Sequence, residues 1–162
     1  MATGKTSVGK ELARRLRREF FDLDDLIEQR ENKRIVDIFR EKGEPYFRKL
    51  EKEIIQETSL KKNLVVGCGG GAVASEENLT IFKKSGLVIC LAAEIDTILE
   101  RTKNNTQRPL LNVKHPKEQI KELLTKREPF YKQADYRIDT TGLSVKEVAD
   151  KVTAIINKDK TK

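Results

Sequence analysis

The sequence predicts an α/β fold in which helices cover both faces of a parallel sheet. Short runs of continuous apolar residues, Leu64 to Cys68 and Leu87 to Leu91, stand between long stretches of helical apolar spacing. Runs without apolar/polar alternation suit strands buried on both faces, and regular exchange of strand with helix is the signature of a parallel sheet. With 162 residues the chain can bury one real core and is too short for two ordinary domains, so a single domain over 1–162 is expected.

In chain order, Val8, Leu12 and Leu16 predict a helix from about Lys5 to Arg18, and Phe20 to Leu23 a short extended piece. Helical periodicity returns over Asp25–Asn32, Val36–Lys42 and Pro45–Thr58. Gly43 is placed to act as a C-cap, and Pro45 fits a first turn. After the two buried strands the pattern predicts a helix over Glu94–Lys103, a polar loop around Asn104–Pro116, and a helix to about Ala134. A short strand over Tyr136–Asp139 and a closing helix from Ser144 follow, with a disordered basic tail after Asn157.

Composition excludes several classes of function. The net charge of +7 admits an anionic partner, but the basic residues are spread among 26 acidic ones and never form an aromatic-studded block. No nucleic acid is expected. No apolar run approaches the roughly 18 residues that cross a bilayer, and no charged-then-apolar leader opens the chain, so neither a membrane nor export is expected and the cytoplasm is the predicted location. Cys68 and Cys90 sit among apolar or glycine residues and read as reduced, strand-borne thiols.

Three groups of residues carry chemistry. Gly4-Lys5-Thr6 is the end of a Walker A loop leading into a helix: glycine lets backbone N–H groups approach phosphates, Lys5 reaches their oxygens, Thr6 can ligate Mg2+, and the helix start adds positive charge. The tripeptide is short enough to arise by chance, and Gly9 adds a small residue for close packing. Asp22 and Asp24 alternate at the end of the predicted second strand, which would aim both at the carboxyl edge of the sheet, where ligands of open α/β folds bind. Acidic residues before a helix also serve as N-caps. Gly67-Cys68-Gly69-Gly70-Gly71 follows a strand, and so many glycines make sense where backbone lies against a ligand. Arg48, Arg108 and Arg127 offer planar forks for carboxylate or phosphate, although each singly also reads as a surface charge. Glu51, three residues after Arg48 on a helix face, can hold its guanidinium.

Read in order, GKTSVG, FDLDDLIE, GEPYFRKLE, GCGGGAV, RTKNNTQRPLL and REPFYKQAD make the chain resemble the shikimate kinases over nearly its whole length. The resemblance implies the P-loop, nucleoside monophosphate kinase-like fold: a three-layer sandwich on a five-stranded parallel sheet, a mobile lid near 104–116 and a substrate-binding helical region near 24–54. It implies a cytoplasmic, monomeric enzyme of aromatic amino-acid (chorismate) biosynthesis that moves the γ-phosphate of ATP, with Mg2+, to the 3-hydroxyl of shikimate. Thr3, Gly4, Lys5, Thr6 and Ser7 would hold ATP, with Arg101 and the lid residue Arg108 as further contacts. Thr6 and Asp22 would serve the metal. Asp24 would accept the attacking hydroxyl's proton, with Lys5 and Arg108 aiding the transfer. Arg48 and Arg127 would clamp the shikimate carboxylate, and backbone at Gly69, Gly70 and Gly71 would support the hydroxyls. A gluconate kinase-like enzyme and a catalytically silent nucleotide-binding module are the competing readings.

Two departures from the family pattern carry expectations of their own. The first Walker A glycine and the apolar strand before it have no counterpart in the sequence, so the sheet is expected to have a gap at its centre, and a chain starting at Met1, read as an internal methionine of a longer protein, is expected to fold poorly alone. Arg17 stands where a helix-ending glycine is usual, so the turn before Phe20 is expected to be built differently.

Overall fold

The computed structural model describes residues 2–102 and 116–159. The predicted loop and lid at 104–116, with Arg108, lie outside these residues except for Pro116. Helix α1 (Lys5–Leu16) leads to strand β1 (Glu19–Asp22), then to α2 (Leu23–Glu31) and α3 (Ile35–Ser59). Strand β2 (Leu64–Gly67), a 3-10 turn at Ala72–Ala74, α4 (Glu76–Ser85) and β3 (Ile89–Ala92) follow. Helices α5 (Ile95–Thr102) and α6 (Pro116–Tyr131), strand β4 (Tyr136–Asp139) and α7 (Val145–Asp159) complete the order.

Cap chemistry sets most of the boundaries. Arg17 itself takes the left-handed conformation, φ 53 and ψ 48, and its N–H bonds back to the carbonyls of Ala13 and Arg14. Helix α1 therefore stops at Leu16, short of Arg18, and the chain makes the same left-handed exit a glycine would make, against the steric preference of an L-residue. Asp22 ends β1 one residue before the expected limit, because its carboxylate caps α2 by accepting from Asp24 N. Within α3, Gly43 at φ 77 and ψ 172 breaks the helical path, as its C-cap reading required, and Pro45 opens the next turn. Ser144 and Glu147 form a reciprocal capping box at the start of α7, with Ser144 N donating to Glu147 Oε2 at 2.8 Å and Glu147 N to Ser144 Oγ at 3.3 Å. Helix α7 runs to Asp159, past the point where a disordered tail was expected.

The strands pair as β1 with β2 and β3 with β4, both parallel. Neighbouring residues of β2 feed two different cores. Val66 packs against Leu23, Ile27, Ile55 and Ala72, whereas Val65 packs with Val8, Leu12, Val148 and Val152 of α1 and α7. Because successive strand residues point to opposite faces, these cores lie on the two sides of the sheet and make the three layers. Helix α1 lies tight on β1: a Cβ at Gly9 would come 2.3 Å from Phe20 Cε2. Among the described residues no strand joins β2 to β3, and the sheet is two separate pairs. No helix among them is long and apolar enough to cross a membrane.

Candidate active site

The phosphate loop opens α1. Gly4 is the N-cap in the left-handed region, φ 84 and ψ 13, which a glycine enters freely. Thr3 is buried beside it, while Thr6 and Ser7 present exposed side chains in the first turn. No acidic residue occupies that turn, so the first N–H groups and the positive end of the helix remain suited to an anion. Lys5 lies close enough to Cys68 to act on it electrostatically; burial nonetheless pushes that thiol up to about 12, which makes it an inert packing group.

Asp22 links the loop to the start of α2. Its Oδ2 accepts from Thr6 Oγ1 at 2.9 Å and its Oδ1 from Asp24 N at 3.2 Å. The two aspartates therefore do not share a strand face as their alternation suggested. Asp22 ends β1 and Asp24 stands in the first turn of α2, because Asp22 begins the helix by capping it. A threonine hydroxyl beside a carboxylate is a hard-oxygen donor pair that fits Mg2+. Among the described residues there is no cluster of three or more His, Cys, Asp or Glu able to hold a metal unaided, so a divalent ion here would share its shell with phosphate oxygens and water.

The glycine run collects the remaining predicted groups. A Cβ at Gly69 would sit 3.3 Å from Asp24 Oδ1, one at Gly70 would sit 3.1 Å from Arg127 Nη1, and one at Gly71 would sit 2.9 Å from Arg48 Nη1. Three successive glycines thus make room for one carboxylate and two guanidinium groups brought from α2, α6 and α3. The run was read as backbone lying against a ligand; its missing side chains also admit the groups that would bind one.

Arg48 is oriented by two carboxylates. Its Nη1 donates to Glu51 Oε2 at 2.8 Å and its Nη2 to Glu44 Oε1 at 3.0 Å. Burial works to lower the Arg48 pKa, and the hydrogen bonds and charges of Glu51 and Glu44 together more than offset it, so the guanidinium is held charged. Glu51 is only 3% exposed. Burial raises its pKa, against the opposing pull of Arg48, and it also feels Asp24 and Arg127. Two groups escaped the sequence reading. Tyr131 Oη donates to the Gly70 carbonyl at 3.3 Å, and burial raises its pKa; its place four residues after Arg127, on the same helix face, was the available signal. Glu44 stands in the same relation to Arg48. Arg101 bonds Ala2 O at 3.3 Å and Thr140 O at 3.1 Å, which ties the start of the phosphate loop to the end of β4.

A sequence model of the family described as shikimate kinase matches residues 1–157. The chain belongs to the shikimate kinase family. It is 48% identical to the shikimate kinase of Thermodesulfovibrio yellowstonii over 94% of this chain and 88% of that protein. With the shikimate kinase of Persephonella marina it shares 47% identity over 94% of this chain and 92% of that one. Among solved structures, shikimate kinase from Acinetobacter baumannii in complex with shikimate superposes with a TM-score of 0.95 at 37% identity, covering 100% of this chain and 91% of that chain. Shikimate kinase from Aquifex aeolicus gives 0.86 at 36% identity, over 98% and 93%. The α/β fold with parallel strands is therefore that of solved shikimate kinases.

Proposed function

We propose that the chain transfers the γ-phosphate of ATP to the 3-hydroxyl of shikimate, giving shikimate 3-phosphate and ADP. The supporting observation is the convergence of Asp24, Arg48 and Arg127 on Gly69–Gly71, with Asp24 two hydrogen bonds from the phosphate loop through Asp22. Two guanidinium groups beside a carboxylate suit a small molecule that carries both an anion to clamp and a hydroxyl to orient.

In this assignment Thr3, Gly4, Lys5, Thr6 and Ser7 hold the ATP phosphates, with Arg101 close to the loop and Arg108, which lies outside the described residues, as a further nucleotide contact implied by the family resemblance. Thr6 and Asp22 hold Mg2+, which supplies charge neutralisation when bound. Arg48 and Arg127 grip the substrate carboxylate. Asp24 orients the attacking hydroxyl, whose oxygen bonds to the γ-phosphorus as the bond to the β-phosphate oxygen breaks and ADP leaves. The hydroxyl proton passes late to Asp24, since the transition state is loose. The acting unit in this proposal is a monomer in the cytoplasm.

A coupled assay of ADP release with and without shikimate tests the reading, and ADP release indifferent to shikimate overturns it. Arg48→Ala and Arg127→Ala should each raise the shikimate KM ten- to a hundredfold, as the loss of a charge-assisted hydrogen bond of roughly 1.5 to 3 kcal/mol implies. ATP affinity should hold. An equal fall in ATP affinity assigns these arginines to the nucleotide instead.

A further inference from the structure

The glycine run after β2 needs support from outside itself. Glycine has more backbone freedom to lose on folding than any other residue, yet the space around Gly69–Gly71 is closely filled. A Cβ at Gly70 would come 2.6 Å from Tyr131 Oη, and one at Gly71 would come 3.0 Å from Arg48 Nη2. Backbone that is intrinsically loose and packed this tightly against charged groups keeps its place only if its own polar groups are tied down.

Its carbonyls are tied in two ways. The 3-10 turn closes two of them locally, Ala72 N donating to Gly69 O at 3.0 Å and Ala74 N to Gly71 O at 3.1 Å. The other two are held by side chains from other helices. Asn78 Nδ2 of α4 donates to Ala72 O at 3.0 Å, and both residues are buried, so this end of the run is anchored to the body of the protein. Tyr131 Oη of α6 donates to Gly70 O at 3.3 Å. Of these four bonds, the one from Tyr131 reaches the substrate clamp. Tyr131 stands four residues after Arg127 on one face of α6, and Arg127 Nη1 and Tyr131 Oη flank the same Cβ position at Gly70, at 3.1 and 2.6 Å. A phenol donates one hydrogen bond and can accept two. Burial raises the Tyr131 pKa, while the charge of Arg127 and its hydrogen bond to the phenol pull the other way. The hydroxyl therefore receives from the guanidinium what it passes on to the glycine carbonyl.

We propose that Tyr131 is a positioning residue for the phosphoryl transfer: its hydroxyl tethers the Arg127 guanidinium to the Gly70 carbonyl and so fixes the spacing between the carboxylate clamp and the backbone beside it. The role rests on the substrate reading above and adds to it a residue that acts through two others. Reacting groups must be held to within about 1 Å, and a displacement of that size can cost a hundredfold in rate. Phenylalanine at this position would keep the ring and its packing, and would leave both an Arg127 N–H and the Gly70 carbonyl without this partner.

The test compares the 162-residue chain with Tyr131→Phe in steady-state kinetics and in native-state amide exchange. The shikimate KM should rise about five- to tenfold, as expected when a hydrogen bond is lost and its partners are left behind, with the ATP KM unchanged. Combined with Arg127→Ala, the change should raise the shikimate KM by less than the product of the two separate effects, because the tyrosine acts through that arginine. Exchange at the amides of Ala72 and Ala74, which bond to the run, should quicken about five- to tenfold, while that of Val148 in α7, which bonds to Ser144, stays as it was. An unchanged exchange rate at Ala72, an equal rise in the ATP KM, or effects that simply multiply with Arg127→Ala would each overturn the role. Exchange needs no substrate, so it judges the tether even if ADP release proves indifferent to shikimate, the outcome that overturns the substrate reading alone.

Discussion

Glu51 is a carboxyl buried where its charge is disfavoured, yet it is the group that holds Arg48. Its raised pKa means that it takes up a proton at a higher pH in the folded chain than in the unfolded one, where 4.5 is ordinary. Between those two values the folded state binds more protons, so this group makes the chain less stable as pH rises through the window; the penalty is complete above the folded value and absent below about 4.5. Protonation also takes from Arg48 one of its two carboxylate partners. As pH falls through that window, the shikimate KM should therefore climb while the contribution of Glu51 to stability improves. Glu51→Gln should show a KM raised about tenfold at neutral pH and should lose the part of the pH dependence that belongs to this carboxyl. Kinetics of the two proteins across pH 5 to 8 measure it, and superimposable profiles would rule out the role.

Helix α1 is positioned by two local features, one strained and one enforced. At its C-terminal end Arg17 holds a left-handed conformation that costs an L-residue about 1–2 kcal/mol, whereas glycine enters it freely but loses about 0.5–1 kcal/mol more on folding. Arg17→Gly should thus stabilise the chain by about 0.5–1 kcal/mol, read as a rise in the urea midpoint with an unchanged slope; a loss of stability would show that the arginine side chain matters more than its backbone. On the sheet side, Gly9 leaves no room for a methyl beneath Phe20. Gly9→Ala should cost about 1–3 kcal/mol and, because α1 carries the phosphate loop, should weaken nucleotide binding too. Phe20→Leu in the same chain should recover part of the loss. Strictly additive effects of the two changes would show that the contact is not what positions the helix.

At the scale of the molecule, the two strand pairs share no ladder hydrogen bonds among the described residues, and their mechanical link is helical. The core of α1 and α7 gathers Val65 from one pair and Ile89, Leu91 and Ile138 from the other, while the core of α2 and α3 touches β2 through Val66 and the chain just after it through Cys68. Two cooperative units should follow, one built on β1, β2, α2 and α3 and the other on β3, β4 and α7. Native-state hydrogen exchange should then give two opening free energies, one for each pair. A single common value for the amides of Phe21 and Ile138 would mean that α1 binds the halves into one unit.

Much of this was legible in the sequence because it is local. The glycine-lysine-threonine turn, the helix starts at Ser144 and Pro45, the buried apolar runs of β2 and β3, and the Arg48–Glu51 pair all depend on residues within a few positions of one another, where cap chemistry and helical spacing act directly. The family, and with it the reaction, was legible from the order of six such blocks. What the sequence misread was also local in appearance: Asp22 and Asp24 look like alternate residues of one strand, and only the capping bond from Asp24 N shows that a helix begins between them. Tertiary structure alone decided which distant groups meet. Gly69, Gly70 and Gly71 each admit a side chain from a different helix, and Tyr131 reaches the Gly70 carbonyl across 61 positions. Such contacts depend on how packed layers align in space, which no spacing along the chain records.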